Sequence, residues 1–312
     1  MPKLYSNLLE LIGNTPIVKV NGTYEGYKPK NLYAKLEYFN PAGSIKDRVA
    51  YNMLKTAYDK GLITPDTVIV EPTSGNTGVG LALCASIMGI EFIAVMPENM
   101  SEERKKLISA YGAKIVLTPK NLGMKGSLDK AAQIVSELEK EGKNVFQTKQ
   151  FENPDNPLSH IKTADEIWSD TDGKVSFLVA GIGTGGTISG TAKRLKELNP
   201  KIKVLGIEPA ESPLLTQGVA AAHKIQGIGA NFVPKTLDKD LIDKIVDVKG
   251  DDAIKTTREA AQKDGLLIGI SSGAVLKAAL ELDKKLFFEG RDEMIVCIFA
   301  DNGERYLSGG VF

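Results

Sequence analysis

The stretch VSFLVAGIGTGGT, residues 175–187, carries the pattern that decides the fold of this chain. Its first half, Val175–Ala180, is short and mostly apolar and predicts a buried strand. Glycines then open a turn that leads into the helical pattern of Thr187–Leu198, and the strand pattern of Lys203–Glu208 follows. A strand, a helix and a second strand in this order predict a βαβ unit with parallel strands.

The same alternation extends in both directions along the chain. Apolar and β-branched runs predict further strands at Asn31–Glu37, Val68–Glu71, Glu91–Met96, Ala113–Leu117 and Met294–Ala300. Helical spacing of apolar residues predicts helices at Thr77–Met88, Glu102–Tyr111, Lys125–Lys140, Asp251–Asp264 and Ala274–Phe287. The sequence therefore predicts an α/β protein in which mostly parallel sheets are covered by helices on both faces.

Two stretches interrupt this alternation. Gln150–Pro157 contains two prolines and several polar turn formers, which favours a domain boundary there. Ala210–Lys235 is long and has no clear period. Loops of that length inside a compact domain are often functional.

Composition and charge restrict the classes of partner. The 312 residues are 42% hydrophobic and 25% charged, which is enough for a sizeable core. Lysine plus arginine and aspartate plus glutamate number 39 each, so no net field attracts nucleic acid or an anionic membrane. Cys84 and Cys297 lie in apolar runs, which predicts buried thiols rather than a disulfide. Without a leader-like N-terminus or a long apolar span, the expected location is the cytoplasm.

The glycine turn after Val175–Ala180 matches the G-x-G-x-x-G pattern of dinucleotide sites, and Glu208 ends the next predicted strand. Glycines at such a turn let backbone N–H groups approach any phosphate, so the pattern alone has low specificity. Thr184 and Thr187 add hydroxyl donors, which favours a terminal phosphate monoester over a pyrophosphate. A tight turn that binds no ligand is the plainer alternative.

A second loop, Asn40–Arg48, delivers Lys46 to the first turn of a predicted helix running toward Lys60. The positive end of the helix disfavours an ammonium group and should lower the pKa of Lys46, as a Schiff-base amine requires. A lone loop lysine is nevertheless most often simply solvated.

A third loop, Glu71–Gly78, places hydroxyl and amide groups before a helix, where a carboxylate could accept several hydrogen bonds. These groups could equally cap that helix, and the two roles are compatible. A phosphate site, a presented lysine and a carboxylate cradle form a consistent set.

With these motifs, the chain resembles the cysteine synthases (O-acetylserine sulfhydrylases) among the fold type II pyridoxal-phosphate enzymes, from Ile12–Pro16 (I-G-N-T-P) to Gly303–Ser308 (G-E-R-Y-L-S). The resemblance implies two three-layer αβα domains with mostly parallel sheets and the cofactor in the cleft between them. It implies a smaller, mobile domain at 41–148. Residues 1–40 and 149–312 would form the larger domain, which contains the phosphate loop.

The same resemblance assigns roles to single residues. Lys46 would carry pyridoxal 5′-phosphate as a Schiff base and act as the catalytic residue, and Gln226–Ala230 would be the active-site gate. It assigns further cofactor contacts to Asn76 (3′-oxygen), Gly183, Thr184, Gly185, Gly186 and Thr187 (phosphate) and Ser271 (pyridine nitrogen), and substrate contacts to Thr73, Ser74, Asn76, Thr77, Gln150 and Gly227. Ser271 could instead cap a helix, and Gln150 could be an ordinary turn residue. His160 and His223 lack a partner pattern for a metal or a triad, so we assign them no role and expect no metal.

The activity implied by the resemblance is β-replacement, which forms L-cysteine from O-acetyl-L-serine and sulfide through an aminoacrylate. The motifs do not distinguish cysteine synthesis from reactions in which serine or cysteine is the donor. Those reactions would form cystathionine or lanthionine, or would release hydrogen sulfide. The end at Phe312 leaves no room for the regulatory module of many cystathionine β-synthases and favours cysteine synthesis. A homodimer is implied, and a complex with serine acetyltransferase is compatible with it. A dehydrogenase would leave the Lys46 loop unexplained, and an intact Lys46 argues against a non-catalytic binding protein.

Overall fold

The computed structural model describes residues 4–73 and 75–312 and divides into two compact units. The first unit contains the described residues up to Ile12 and those of Asn40–Asp155, and the second contains Gly13–Phe39 and Asn156–Phe312. The domain prediction grouped 1–40 with the second unit. Leu9 and Ile12 pack instead in the apolar core of the first, so contacts place them there. The break after Asp155 falls within the polar turn at Gln150–Pro157.

Ten strands and ten α-helices make up the described parts of the two units. The strands are β1 (Ile17–Lys19), β2 (Leu32–Leu36), β3 (Val68–Pro72), β4 (Glu91–Pro97), β5 (Lys114–Thr118), β6 (Val145–Phe146), β7 (Val175–Gly181), β8 (Lys203–Pro209), β9 (Lys244–Val248) and β10 (Met294–Phe299). The helices are α1 (Lys46–Asp59), α2 (Asn76–Met88), α3 (Glu102–Ala110), α4 (Gly123–Lys140), α5 (Asp155–Leu158), α6 (Ile161–Asp170), α7 (Gly186–Leu198), α8 (Leu214–Gln217), α9 (Gly250–Asp264) and α10 (Ile270–Phe288).

The first unit is built on a four-stranded parallel sheet in the order β5-β4-β3-β6. Because side chains alternate between the two faces of a strand, its apolar strands supply two cores. Ile69 and Phe92 pack on the side of α1 and α2, while Val70 and Val95 pack with Ala131 of α4 on the other. The unit therefore has three layers.

The second unit contains a six-stranded sheet in the order β1-β2-β10-β7-β8-β9. Only the β1–β2 pair is antiparallel among the described pairings of this sheet. One face packs against α9 and α10 in a core that includes Val179 and Ile207. The opposite face packs against α7, where a Cβ on Gly206 would lie 3.3 Å from Ile188 Cδ1. The predicted α/β class with layered, mostly parallel sheets is confirmed.

The predicted strands and helices are present, with ends that shift by a few residues. Periodicity did not predict β1, β6, β9, α5, α6 or α8. The three strands are short or lie at sheet edges, where side chains remain partly exposed and the apolar pattern is weak. Helix α6 begins soon after the polar turn, and His160 before it forms no side-chain capping hydrogen bond, so the sequence shows no helix start there.

Both cysteines lie in the interior as free thiols, as predicted. Burial raises the pKa of the Cys84 and Cys297 thiols, which makes thiolate chemistry at either residue unfavourable. Within residues 4–73 and 75–312, no helix has both the length and the apolar character needed to cross a membrane.

Asp243 joins three elements of the second unit. Its carboxylate accepts hydrogen bonds from Lys196 Nζ at 2.8 Å, Lys203 Nζ at 2.9 Å and the Val204 N–H at 2.9 Å. Burial alone would raise the pKa of Asp243, but these hydrogen bonds outweigh burial and lower the pKa to about 2. The ionised carboxylate therefore stabilises the junction of α7, β8 and β9.

We predict that Asp243→Asn lowers the free energy of unfolding by about 1 kcal/mol at pH 7. The folded-state pKa lies below the ordinary value of 3.8, so the stabilisation is complete above that value and is lost as the pH falls toward about 2. Urea unfolding should show that the difference between the two proteins has fallen by roughly half at pH 3. Asp59→Asn, at an exposed pair with Lys55, is the control and should change stability much less than Asp243→Asn does. A difference for Asp243→Asn that does not depend on pH would contradict this account.

Candidate active site

The loop before α1 is held rigidly where it presents Lys46, the first residue of that helix. The buried carboxylate of Asp47 accepts the Ala42 N–H at 2.5 Å and the Ser44 hydroxyl at 3.4 Å. The hydroxyl of Ser44 in turn accepts the Lys46 N–H at 3.2 Å. Gly43 takes a φ of +78°, which glycine adopts without strain. The half-buried side chain of Lys46 therefore starts from a fixed backbone position.

Helices α1 and α2 pack closely at Gly80. A Cβ at this position would lie 3.1 Å from the Lys46 carbonyl oxygen and 3.2 Å from Ala50 Cβ. A larger residue than glycine would push the helices apart. The contact places the first turn of α1 next to the beginning of α2, where Asn76 lies.

The turn between β3 and α2 brings the predicted carboxylate cradle together. Thr73 and Thr77 are both buried, and the Thr73 N–H donates to the Val95 carbonyl oxygen at 3.0 Å. The Thr77 hydroxyl donates to Gln150 Oε1 at 2.7 Å, although the two residues are 73 positions apart. Thr73, Asn76, Thr77 and Gln150 thus belong to one corner of the first unit. Ser74, which we predicted as part of the cradle, lies outside the described residues.

Glu71 holds the backbone next to Gln150 through hydrogen bonds. It was not predicted as a site residue. It is 3% exposed, and its Oε2 accepts the N–H of Thr148 at 2.9 Å and the N–H of Lys149 at 3.4 Å. Burial raises the pKa of Glu71, while hydrogen bonds from Thr148, Lys149 and Gln150 act in the opposite direction. The available sequence signal was an acidic residue inside an otherwise apolar strand.

The glycine loop of the second unit links β7 to α7 with little space for side chains. Gly185 has a φ of +84°, and a Cβ there would lie 2.6 Å from Leu237 Cβ. A Cβ on Gly183 would overlap the carbonyl oxygen of Gly227. The backbone of Gly183–Gly186 therefore forms a narrow turn at the N-terminus of α7, a 13-residue helix.

The two threonine hydroxyls of this loop are held by residues from another segment. Asn156 Nδ2 donates to Thr184 Oγ1 at 3.0 Å, and the Gly186 N–H also reaches this oxygen, at 3.3 Å. Thr187 Oγ1 lies 3.3 Å from Nε2 of His160, whose side chain is fully buried. We predicted neither Asn156 nor His160 as a site residue, because a turn 27 or more positions earlier gives no local sign of this contact.

These residues fit a phosphate monoester. Backbone N–H groups at a helix N-terminus and two hydroxyls provide the donors that three phosphate oxygens require. A dinucleotide site would need Glu208 to bind a ribose, but both of its carboxylate oxygens already accept hydrogen bonds from α8. Oε2 accepts the Leu215 N–H, and Oε1 accepts the N–H and the hydroxyl of Thr216. Glu208 stabilises that short helix, which leaves it poorly placed for a ribose.

Ser271 and the predicted gate lie next to this loop within the second unit. Ser271 is the second residue of α10 and is buried. Gly227 has a φ of +94°, and a Cβ there would lie 3.8 Å from Ser271 Oγ. The Gly229 N–H donates to the Ile182 carbonyl oxygen at 3.0 Å. The long stretch without a period therefore packs over the glycine loop and the start of α10.

His223, the other histidine, places Nε2 2.9 Å from the Gly229 carbonyl oxygen and so supports the gate segment. No group of three or more His, Cys, Asp or Glu side chains that could hold a metal ion occurs among the residues that the structure describes.

Comparisons with known proteins agree with this geometry. A family model described as "Pyridoxal-phosphate dependent enzyme" matches residues 8–301. The chain is 49% identical over 311 residues to Cysteine synthase B of Campylobacter jejuni, covering 99% of each protein. A crystal structure of cysteine synthase from Entamoeba histolytica superposes with a TM-score of 0.94 at 40% identity, over 99% of this chain and 91% of that one. A hydrogen sulfide-producing enzyme of Fusobacterium nucleatum superposes with a TM-score of 0.91 at 44% identity, over 98% and 99%.

The family match covers nearly the whole chain, including the lysine loop, the cradle and the glycine loop. The chain therefore belongs to the pyridoxal-phosphate dependent enzymes.

Proposed function

We propose that this enzyme is a cysteine synthase that forms L-cysteine from O-acetyl-L-serine and sulfide by β-replacement. The observation that carries the proposal is the fixed presentation of Lys46 beside α2, whose first turn contains the hydroxyl and amide groups suited to an amino-acid carboxylate. The 49% identity to a cysteine synthase over 99% of both chains supports the same activity.

Residues of three loops and the start of α10 would hold the cofactor. Lys46 would carry it covalently, and Asn76 would bond its 3′-oxygen. The phosphate would bind to the turn Gly183–Thr187, where narrow backbone geometry and two hydroxyls favour a group with three oxygens. Ser271 would contact the pyridine nitrogen, and its proximity to Gly227 supports a position at the edge of the site.

The residues of the chain have distinct tasks in the reaction. When bound, pyridoxal phosphate supplies an electron sink that stabilises negative charge at the substrate Cα. Thr73, Thr77 and Gln150 would bind the substrate carboxylate and thereby orient the Cα–H bond. The Lys46 amine would take the proton from Cα and return it after sulfide has replaced the leaving group. Closure of Gln226–Ala230 would exclude water, which otherwise competes with sulfide.

Release of hydrogen sulfide from cysteine is the second candidate. It uses the same lysine and the same cradle, and the hydrogen sulfide-producing enzyme of Fusobacterium nucleatum is 44% identical to this chain. The two activities differ in the leaving group and in the nucleophile, so the comparison of donors below distinguishes them.

We also propose that the enzyme acts in the cytoplasm as a homodimer and that it can bind serine acetyltransferase. Two buried free thiols support a reducing compartment. The other two features rest on the resemblance to the cysteine synthase family.

We predict that the purified protein is yellow and that borohydride reduction attaches the cofactor to the peptide containing Lys46. Lys46→Ala should lose this attachment, and cysteine formation should fall by about 10²–10⁴-fold, because the amine both holds the cofactor and moves the proton. Peptide mass spectrometry and a cysteine assay give the two readouts. Lys55→Ala, at an exposed position of the same helix, should behave as the parent protein. A Lys46→Ala protein with full activity would refute the assignment.

We predict that Thr187→Val weakens binding of pyridoxal phosphate by about 10- to 100-fold, because a hydrogen bond to a charged group is lost at constant side-chain size. Binding of pyridoxal, which has no phosphate, should not change. The dissociation constants follow from titration of the apoprotein. Thr191→Val, one turn later in α7 and buried, is the control. Equal weakening for both ligands would show that Thr187 does not act on the phosphate.

We predict that O-acetyl-L-serine is the preferred donor. In separate assays with O-acetyl-L-serine plus sulfide, L-serine plus sulfide and L-cysteine alone, the first should give the highest kcat/KM. Cysteine formation and sulfide release are measured in parallel. If only L-serine or L-cysteine is turned over, and O-acetyl-L-serine is not, the cysteine synthase proposal is overturned while the cofactor assignment stays intact.

A further inference from the structure

We propose that Glu71 is a positioning residue that selects substrates with an α-carboxylate, because it holds the turn from which Gln150 reaches the substrate. This inference rests on the proposed function and adds a residue that does not itself touch the substrate.

The turn at Thr148–Gln150 forms a nest of backbone N–H groups, and Glu71 occupies it. Lys149 adopts a φ of +48°, a left-handed conformation that curls successive N–H groups toward one side. Such a concavity ordinarily binds an anion. Here the Glu71 carboxyl group occupies the concavity, with its Oε2 at 2.9 Å from the Thr148 nitrogen and 3.4 Å from the Lys149 nitrogen. The conformation of Lys149 is therefore coupled to the carboxyl group of Glu71.

Gln150 lies at the end of this nest, and its side-chain orientation is set by α2. The Thr77 hydroxyl donates to Gln150 Oε1 at 2.7 Å, so the amide oxygen serves as an acceptor inside the protein. The Nε2 group can only donate hydrogen bonds. Such bonds are stronger to a carboxylate than to the neutral carbonyl of an ester or amide. Glu71 holds the backbone of Gln150, and Thr77 holds its side chain.

Burying the carboxyl group of Glu71 costs free energy, which argues against a purely structural role. A carboxylate with 3% exposure has lost its hydration, and burial raises the pKa of Glu71. A turn that only had to be closed could use a neutral side chain at this place in the strand. Three backbone donors directed at one carboxylate give a more rigid turn, which a substrate contact requires.

The test is Glu71→Gln in the holoenzyme. Glutamine has the same size, but its NH₂ group opposes the N–H groups of the nest, so the turn should loosen. We expect the KM for O-acetyl-L-serine to rise about 10-fold or more, while kcat and the affinity for pyridoxal phosphate change by less than about threefold. Glu98→Gln is the matched control, since Glu98 also accepts a backbone N–H, from Lys120 at 3.2 Å, in the same unit.

A binding readout separates positioning from general damage. L-Alanine has no β-leaving group, and L-alaninamide also lacks the carboxylate. Visible-spectrum titration should show that Glu71→Gln reduces the preference for L-alanine over L-alaninamide about 10-fold, whereas Glu98→Gln retains it. In a Gln150→Ala background, Glu71→Gln should change this preference by less than about twofold.

An unchanged preference in Glu71→Gln, or full additivity with Gln150→Ala, would overturn the inference. If Glu71→Gln does not fold, Glu71→Asp, which shortens the side chain and withdraws the carboxylate from the nest, is judged by the same two criteria. Failure of the proposed function is seen separately, because the parent protein would then lack either the visible cofactor band or cysteine formation.

Discussion

The candidate site depends on backbone N–H groups that a helix cannot satisfy within itself. The first N–H groups of any α-helix have no intrahelical partner. At α2 and α7 the residues before the helix are Gly75 and Gly185, which have no side chain to cap them. Both helices follow directly from parallel strands, β3 and β7, so each turn lies at the carboxyl edge of its sheet. A carboxylate bound at one turn and a phosphate bound at the other would satisfy the same physical requirement.

A second layer of buried polar residues keeps these turns in shape. Glu71 supports the cradle, while Asn156 and His160 support the glycine loop. Each is nearly or fully inaccessible to water, and a buried polar group must find its partner within the protein. This requirement couples the predicted ligands to segments that carry no catalytic motif.

The close packing of helices and loops adds a steric constraint. Gly80 lets α1 approach α2 at the carbonyl of Lys46, and Gly183 lets the gate segment approach the glycine loop. A Cβ at Gly183 would overlap a backbone oxygen, and a Cβ at Gly80 would require its neighbours to shift by a few tenths of an ångström. The glycines therefore serve the geometry of the site as well as the local turn conformation.

The sequence by itself determined the α/β class, most of the strands and helices, and the three loops that carry Lys46, Asn76 and Thr184. Those features are local, since periodicity and turn residues act over a few positions and the motifs are contiguous. The short or edge strands β1, β6 and β9 escaped prediction because little of their surface is buried. Only the tertiary structure decided that Glu71 meets Thr148, 77 positions away, and that Thr187 meets His160, because contacts across long separations depend on how strands and helices stack.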